Sequence, residues 1–191
     1  MSLTIHMEGV DELARALDNA ARDLPRESSI AINGTRTQVV KGMSKQIREE
    51  LAVKAKDLKT TLKARKRATK SSLNASVQLD HSSRLSLRAF GSRQTRKGVS
   101  YLTHKGRGRQ IVPGGFMGPK PGVKAPRLGG HAYKRQGTAR KPIVRLHGAS
   151  AWGSYTKNNM QPRTVREGEH ALEKQIERRI RFNVLKKQGL I

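Results

Sequence analysis

Eight cations crowd one short stretch of the chain: Lys54, Lys56, Lys59, Lys63, Arg65, Lys66, Arg67 and Lys70. Ammonium and guanidinium groups at that density do one thing well. They meet phosphate oxygens through charge-assisted hydrogen bonds, without reading sequence and with a steep salt dependence. The competing reading is a solvated helix end, and phosphate contact is the favoured of the two. A second motif, Gly106-Arg107-Gly108-Arg109, has the form of a minor-groove insertion, where small residues let arginine reach the groove floor. It also has the form of a basic hairpin turn, which turn chemistry favours. From these two segments come the candidate phosphate contacts Lys63, Arg65, Lys66, Arg67, Arg107 and Arg109. Few aromatics are interleaved with the charge, so a single-strand stacking platform is not expected. Trp152 and Tyr155 read as core or interface anchors.

The charge of the whole chain points the same way. Its 191 residues carry a formal net charge of +26, which calls for a polyanionic neighbour. Residues 1–40 are net −2, residues 41–140 net +21 and residues 141–191 net +7. From His81 to Arg166 there are 19 Lys or Arg and no Asp or Glu. A face of one sign repels itself unless a partner neutralises it.

Other chemistries find little support. The six histidines show no HExxH spacing, and the central four have no carboxylate nearby in sequence. A bound metal needs such ligands, so no metal site is expected. General acid–base catalysis needs a paired carboxylate or an oriented histidine, and an acid-free centre is a poor place to build one. No GxSxG, Walker or dinucleotide fingerprint follows a strand. The chain reads as non-enzymatic, with no cofactor. It has no cysteine, which removes disulfides and thiol catalysis and fits a reducing compartment. No cationic n-region opens the chain and no apolar run is long enough to span a membrane.

The elements that must position these cations follow from periodicity. Val10, Leu13, Leu17, Ala20, Ala21 and Leu24 lie at helical spacing, and Pro25 should end that helix. Ser28 or Ser29 should cap a second helix with the stripe Ile32, Val39 or Val40, Met43, Ile47 and Leu51. Gly34 and Gly42 weaken it by about 1 kcal/mol each, which packing has to offset. The cationic run over 56–69 reads as a short basic helix or helical turn, with Asp57 as a possible start. After it the period changes to two. Residues 72–80, 83–91, 98–106 and 109–118 alternate as candidate strands of an antiparallel meander, and Pro113 pushes the fourth to an edge. Residues 131–137 and 141–148 supply one or two more strands. KGRGRQ sits where a hairpin turn should join Tyr101 to Ile111. A long Gly/Pro loop then runs over 114–130, and a loop of that length is usually functional or flexible. It is expected to order against a partner. Leu172, Ile176, Ile180 and Val184 repeat every fourth residue in a C-terminal helix, with Thr164 and Glu167 at capping-box spacing and Gly189 as its stop.

The expected fold is therefore α+β in a single domain over 1–191. It has helices over 1–70 that turn basic from about residue 41. A small, mostly antiparallel sheet with the long basic loop 105–130 occupies 71–148, and a C-terminal helix over 163–188 packs on the sheet.

Several motifs occur in a telling order. Phe90 leads through a polar turn to Gly98-Val99. Gly115-Phe116-Met117 follows, then Arg140-Lys141-Pro142-Ile143 running to Leu146-His147-Gly148-Ala149-Ser150. This order, from about residue 30 to the end, resembles the minor tail protein Z family of long-tailed bacteriophages, the tail completion proteins. The chain departs from the family pattern at Ala149, where proline is usual, and in a longer, more glycine-rich loop over 119–130. The resemblance implies a structural virion protein at the head-proximal end of the tail, assembled in the host cytoplasm. It implies a homo-oligomeric ring, a hexamer in expectation, that joins tail to head around the DNA channel. Its neighbours would be the tail terminator, the head-completion or connector proteins and the DNA itself, with no membrane. Phe116, Arg140, Pro142, Ile143, Leu146, Gly148 and Trp152 are the candidate fold or ring-interface residues. Two other readings compete: a general basic nucleic-acid-binding module acting as a monomer, and a basic toxin or nuclease, against which the missing carboxylates argue.

Overall fold

The computed structural model describes residues 10–81, 84–123 and 125–187, with side chains from residue 23 onward except 184 and 187. The fold is α+β. One helix, α1 (Val10–Glu50), runs for 41 residues. It continues straight through Pro25, where the sequence suggested a stop. A proline inside a helix loses one backbone hydrogen bond and crowds the preceding turn, at about 3 kcal/mol. Phase explains why the helix survives. Leu24, Ser28, Ala31, Val39, Gly42 and Gln46 hold one helical face across the proline, and that face is committed to a partner helix. Ser29 caps nothing; its hydroxyl donates back to Arg26 O at 2.7 Å.

The partner is α4 (Gln161–Lys187), which lies along α1 and not across a sheet. Their seam is built from small and polar residues. A Cβ on Gly34 would sit 2.8 Å from Gln175 Oε1, and one on Gly42 2.9 Å from Glu167 Oε2. A Cβ on Gly168 would sit 3.3 Å from Val39 Cγ2. These glycines cost helix propensity but let the backbones approach. Gln46 is 1% exposed; its amide donates to Glu167 at 3.0 Å and its carbonyl accepts from Thr164 at 3.2 Å. Thr164 is thus inside α4, not at its cap, and Glu167 reaches across to α1. Arg179 closes the far end of the seam on Glu27 at 2.5 Å. The apolar stripe of α4 is only partly covered: Ile176 and Ile180 are exposed and line a groove with Leu24 and Ala31 of α1. Gly189 and the side chain of Val184 lie outside the described residues.

The core gathers at the C-terminal end of α1. Met43, Ile47 and Leu51 are buried against Leu58, Leu62, Leu79, Leu87, Phe90 and Val99. Four small antiparallel sheets surround them. After the single-turn α2 (Ala55–Leu58), β1 (Leu62–Ala64) pairs β2 (Val77–Leu79). Next β3 (Arg84–Ser86) pairs β10 (His147–Ser150). A meander follows from β4 (Arg93–Thr95), β5 (Gly98–Tyr101) and β6 (Gln110–Pro113). The last sheet is β7 (Gly115–Phe116), β8 (Tyr133–Arg135) and β9 (Ile143–Arg145). The hairpin turn between Tyr101 and Gln110 is as expected, and Pro113 does end an edge strand. Two expectations change. The run over 56–69 is helical only at its start, in α2 and the turn after it; from Leu62 it is strand and extended chain, because Leu62 faces the core with strand register to Leu79. The 114–130 loop is also less open than its composition suggested. It starts with β7 and ends in a 3-10 turn at Pro126–Leu128. The side chain of Gln94 stands in for a strand partner, accepting from Met117 N and Gly118 N at 2.8 Å each.

A short helix, α3 (Ala151–Lys157), is capped by Ser150 and clamped to α1. Ser154 donates to Glu50 at 2.7 Å, and the Asn158 amide donates to the same carboxylate. Gly148 sits beneath Phe90, where any Cβ would fall on the aromatic ring. Overpacking of this kind costs about 1–3 kcal/mol. Gly148→Ala should therefore lower the urea-unfolding free energy by that amount. Gly137→Ala, which meets open space, should leave it unchanged.

Candidate nucleic-acid interface

Alternation along β1 sends Leu62 inward and Lys63 outward. Beyond β1 the chain stays extended because α1 holds it. The Asn33 side chain makes a reciprocal pair with the backbone of Ala68, donating at 2.8 Å and accepting at 3.0 Å. Arg36 donates to Lys66 O at 3.0 Å. This clamp presents Lys63, Lys66 and Arg67 as exposed cations on one extended ridge. Arg65 belongs to the same ridge but is partly tied down, donating to Gln78 at 2.8 Å.

The hairpin splits its two arginines. Arg107 is exposed at the tip between two glycines. Arg109 is committed to the fold: Nε donates to Ser100 Oγ at 2.9 Å, and Nη2 reaches Gly91 O at 2.8 Å and Ser100 O at 3.0 Å. It crosses the sheet and ties the 3-10 turn Leu87–Phe90 to β5. It is a structural arginine, because both nitrogens facing the protein are satisfied there.

The candidate interface residues divide likewise. Leu146 packs on the core and exchanges backbone bonds with Ala132 and Leu87, and Gly148 is a spacing residue under Phe90. Both serve the fold. Arg140, Pro142 and Ile143 face outward, with a cis peptide before Pro142. Phe116 is half-buried, with its ring 6.3 Å from Tyr133 and the Arg135 guanidinium 5.7 Å over it. Trp152 is 40% exposed and meets His81 edge-on at 6.3 Å. Of the two proposed anchors it is Tyr155 that is buried, donating to Thr164 at 2.9 Å.

Charge is sorted by element. Among the described residues, every carboxylate in an ion pair lies on α1 or α4. The cations of the sheets have no such partner. One grouping of cations cuts across the elements. Lys54, Lys56, Arg84, Arg88, His131 and Arg145 border one open cleft of about 590 Å³, with Asp57 its sole carboxylate. They come from five separate segments; Lys54 and Lys56 belong to the cationic run and the others to the acid-free span, but no local pattern joins them. His131 sits at their centre. Arg145 Nη2 is 2.8 Å from Nδ1 and the Ser86 hydroxyl is 3.0 Å from it. Partial burial, then the charges of Arg145 and Arg88, hold the imidazole below its ordinary value of 6.5.

Comparison with family models, with curated proteins and with solved structures returns no match for this chain. Among the described residues no three metal-binding side chains come together, and no helix is long and apolar enough to cross a membrane.

Two outcomes are expected. Arg109→Ala should lower the thermal midpoint and leave the salt dependence of any DNA binding unchanged, as circular dichroism and anisotropy will read. The second concerns pH. A histidine whose folded pKa is depressed binds its proton more readily when unfolded. Its contribution is fully present above 6.5 and is lost as pH falls from there towards the folded value. The thermal midpoint should drop as pH falls below 6.5, and His131→Gln should flatten that part of the curve. The salt-bridged Glu27, also depressed but from 4.5, titrates in a separate and more acidic window.

Proposed function

We propose that this chain is a tail completion protein, a structural and non-enzymatic component of the neck of a long-tailed bacteriophage. In this reading copies of the chain form a ring at the head-proximal end of the tail. The ring joins tail to head and surrounds or positions the DNA end. It meets the tail terminator on one side and head-completion or connector proteins on the other. The observation that carries the reading is the sorting of charge. Among the described residues all carboxylates but Asp57 and Asp80 sit on the two long helices, while the sheets turn outward a cationic surface with few carboxylates beside it. Such a surface suits a protein held against packaged DNA, where phosphates supply the missing counter-charge. The order of motifs from Phe90 to Ser150 adds to it. So do the exposed apolar side chains Ile143, Trp152, Ile176 and Ile180, which offer flat aliphatic and aromatic surface for contacts between copies.

The test is a cryo-EM reconstruction of the neck of the phage that encodes the chain. The expected result is a ring of copies on top of the tail tube, with Lys63, Lys66 and Arg67 or Arg107 turned to the DNA. A neck without this chain overturns the reading. A ring whose cationic sheets face away from DNA keeps the location and overturns the electrostatic argument.

A further inference from the structure

We propose that the cleft between Lys54, Lys56, Arg84, Arg88, His131 and Arg145 is a binding site for a backbone phosphate of DNA. Its walls are unlike the free ridge of Lys63, Lys66 and Arg67, because the fold aims and holds them. Arg88 is fixed by donating Nη1 to Gly129 O at 2.7 Å, which leaves most of its five N–H donors unspent. Arg145 is fixed against His131, which Ser86 also addresses. Lys54, Lys56 and Arg84 are exposed at the rim. None of these cations forms an ion pair among the described residues.

Guanidinium groups held this close repel one another, and a fold without a ligand avoids adding to the repulsion. His131 shows that avoidance. Arg145 Nη2 lies 2.8 Å from Nδ1 and 3.1 Å from Nε2 of the ring, and Ser86 Oγ lies 3.0 Å from Nδ1. The imidazole is the one cation-forming group of the cluster that can shed its charge, and partial burial with the neighbouring arginines favours its neutral form. A phosphate would replace that arrangement with charge-assisted hydrogen bonds from preset arginines, at no cost in moving them. The cleft is open and its rim is charged on several sides. A lone ion there is screened by salt, whereas a polymer brings neighbouring phosphates to the rim lysines together. The choice of DNA as the source rests on the neck reading; the choice of phosphate rests on the cleft alone.

The experiment uses the purified full chain and a short fluorescein-labelled DNA duplex, with anisotropy read across a potassium chloride series. The cleft variant is Arg88→Gln with Arg145→Gln. Its control is Arg178→Gln with Arg181→Gln, which removes equal charge from exposed positions of α4. The cleft variant should bind about 10–100-fold more weakly at low salt, and its log–log salt slope should shrink by about 1 to 2. The control should change both far less. Equal losses in the two variants overturn the proposal, since charge alone then accounts for binding. If the cleft variant unfolds, Lys54→Gln with Lys56→Gln replaces it, because neither side chain supports the fold. In parallel, the ring resonances of His131 are followed by NMR as inorganic phosphate is added. Movement with phosphate but no duplex effect overturns DNA as the source. No movement and no duplex binding overturns the site. Failure of the neck reading is seen elsewhere, in a reconstruction that lacks the chain, and leaves the duplex result standing.

Discussion

The last turns of α1 are what the other elements depend on. Ile47 and Leu51 are fully buried, and the sheets that cover them have only two or three strands each. Sheets of that size are marginal in water by themselves. Three of the four contribute buried side chains to a shared core: Leu62 and Leu79 from the first, Leu85 from the second, Val99 from the meander. The helix end supplies the surface they all need. It also supplies backbone partners, since Ala52 N donates to Thr103 O and Lys105 N to Glu50 O, each at 2.9 Å. The 41-residue length of α1 then has a purpose. One end organises the sheets and the remainder docks α4 through a glycine-lined polar seam.

Charge follows from that division. A core this lean leaves little apolar driving force to oppose repulsion among 40 Lys and Arg. The carboxylates are used where two helices must stay together, in Glu27–Arg179 and in the Glu49–Arg163–Glu167 group. Arg163 joins α1 to α4 with both neighbours within 3.0 Å. Surface pairs of this kind are individually weak, but they are spent at one seam and so they fix its register. The sheets receive few: Glu50 reaches His104 after β5, and Asp57 stands beside the cleft. Their cations are held apart by short strands pointing in different directions, except at the His131 cleft, where three segments bring arginines together.

What could be read from the residues was what local pattern controls. Alternation located β5 and β6, and Gly106 and Gly108 located the hairpin between them. The stripe Met43, Ile47 and Leu51 located the core-facing side of α1. What was hidden depended on distant parts. Pro25 was a sound local stop signal, overridden because the helical face continues through it onto α4. The 56–69 run is rich in residues that favour helices, yet Leu62 pairs with Leu79 and the cations follow it into extended chain. β4 is too polar to show alternation, and it forms because Val99 on its neighbour is buried. Arg109 looked like Arg107 in sequence; only the sheet behind it tells a brace from a free cation. The cleft draws on residues up to ninety positions apart, and spacing cannot reveal that.

The 140–152 run shows why a motif can be read correctly as a unit and still conceal two jobs. Leu146 and Gly148 face inward, where strand β10 passes under Phe90 with no room for a Cβ. Arg140, Pro142, Ile143 and Trp152 face outward. The split follows the path of the chain: β9 is exposed throughout, and the chain turns in toward the core only at Leu146 and where β10 passes under Phe90. The inward half sets how closely β10 approaches Phe90. Arg145 lies three residues before Gly148 and Arg88 two before Phe90, so both cations hang from this contact. A change at Gly148 would thus move Arg145 relative to His131 and Arg88 without touching any of them. The packing of one aromatic ring and the geometry of the cationic cleft are in this way a single constraint.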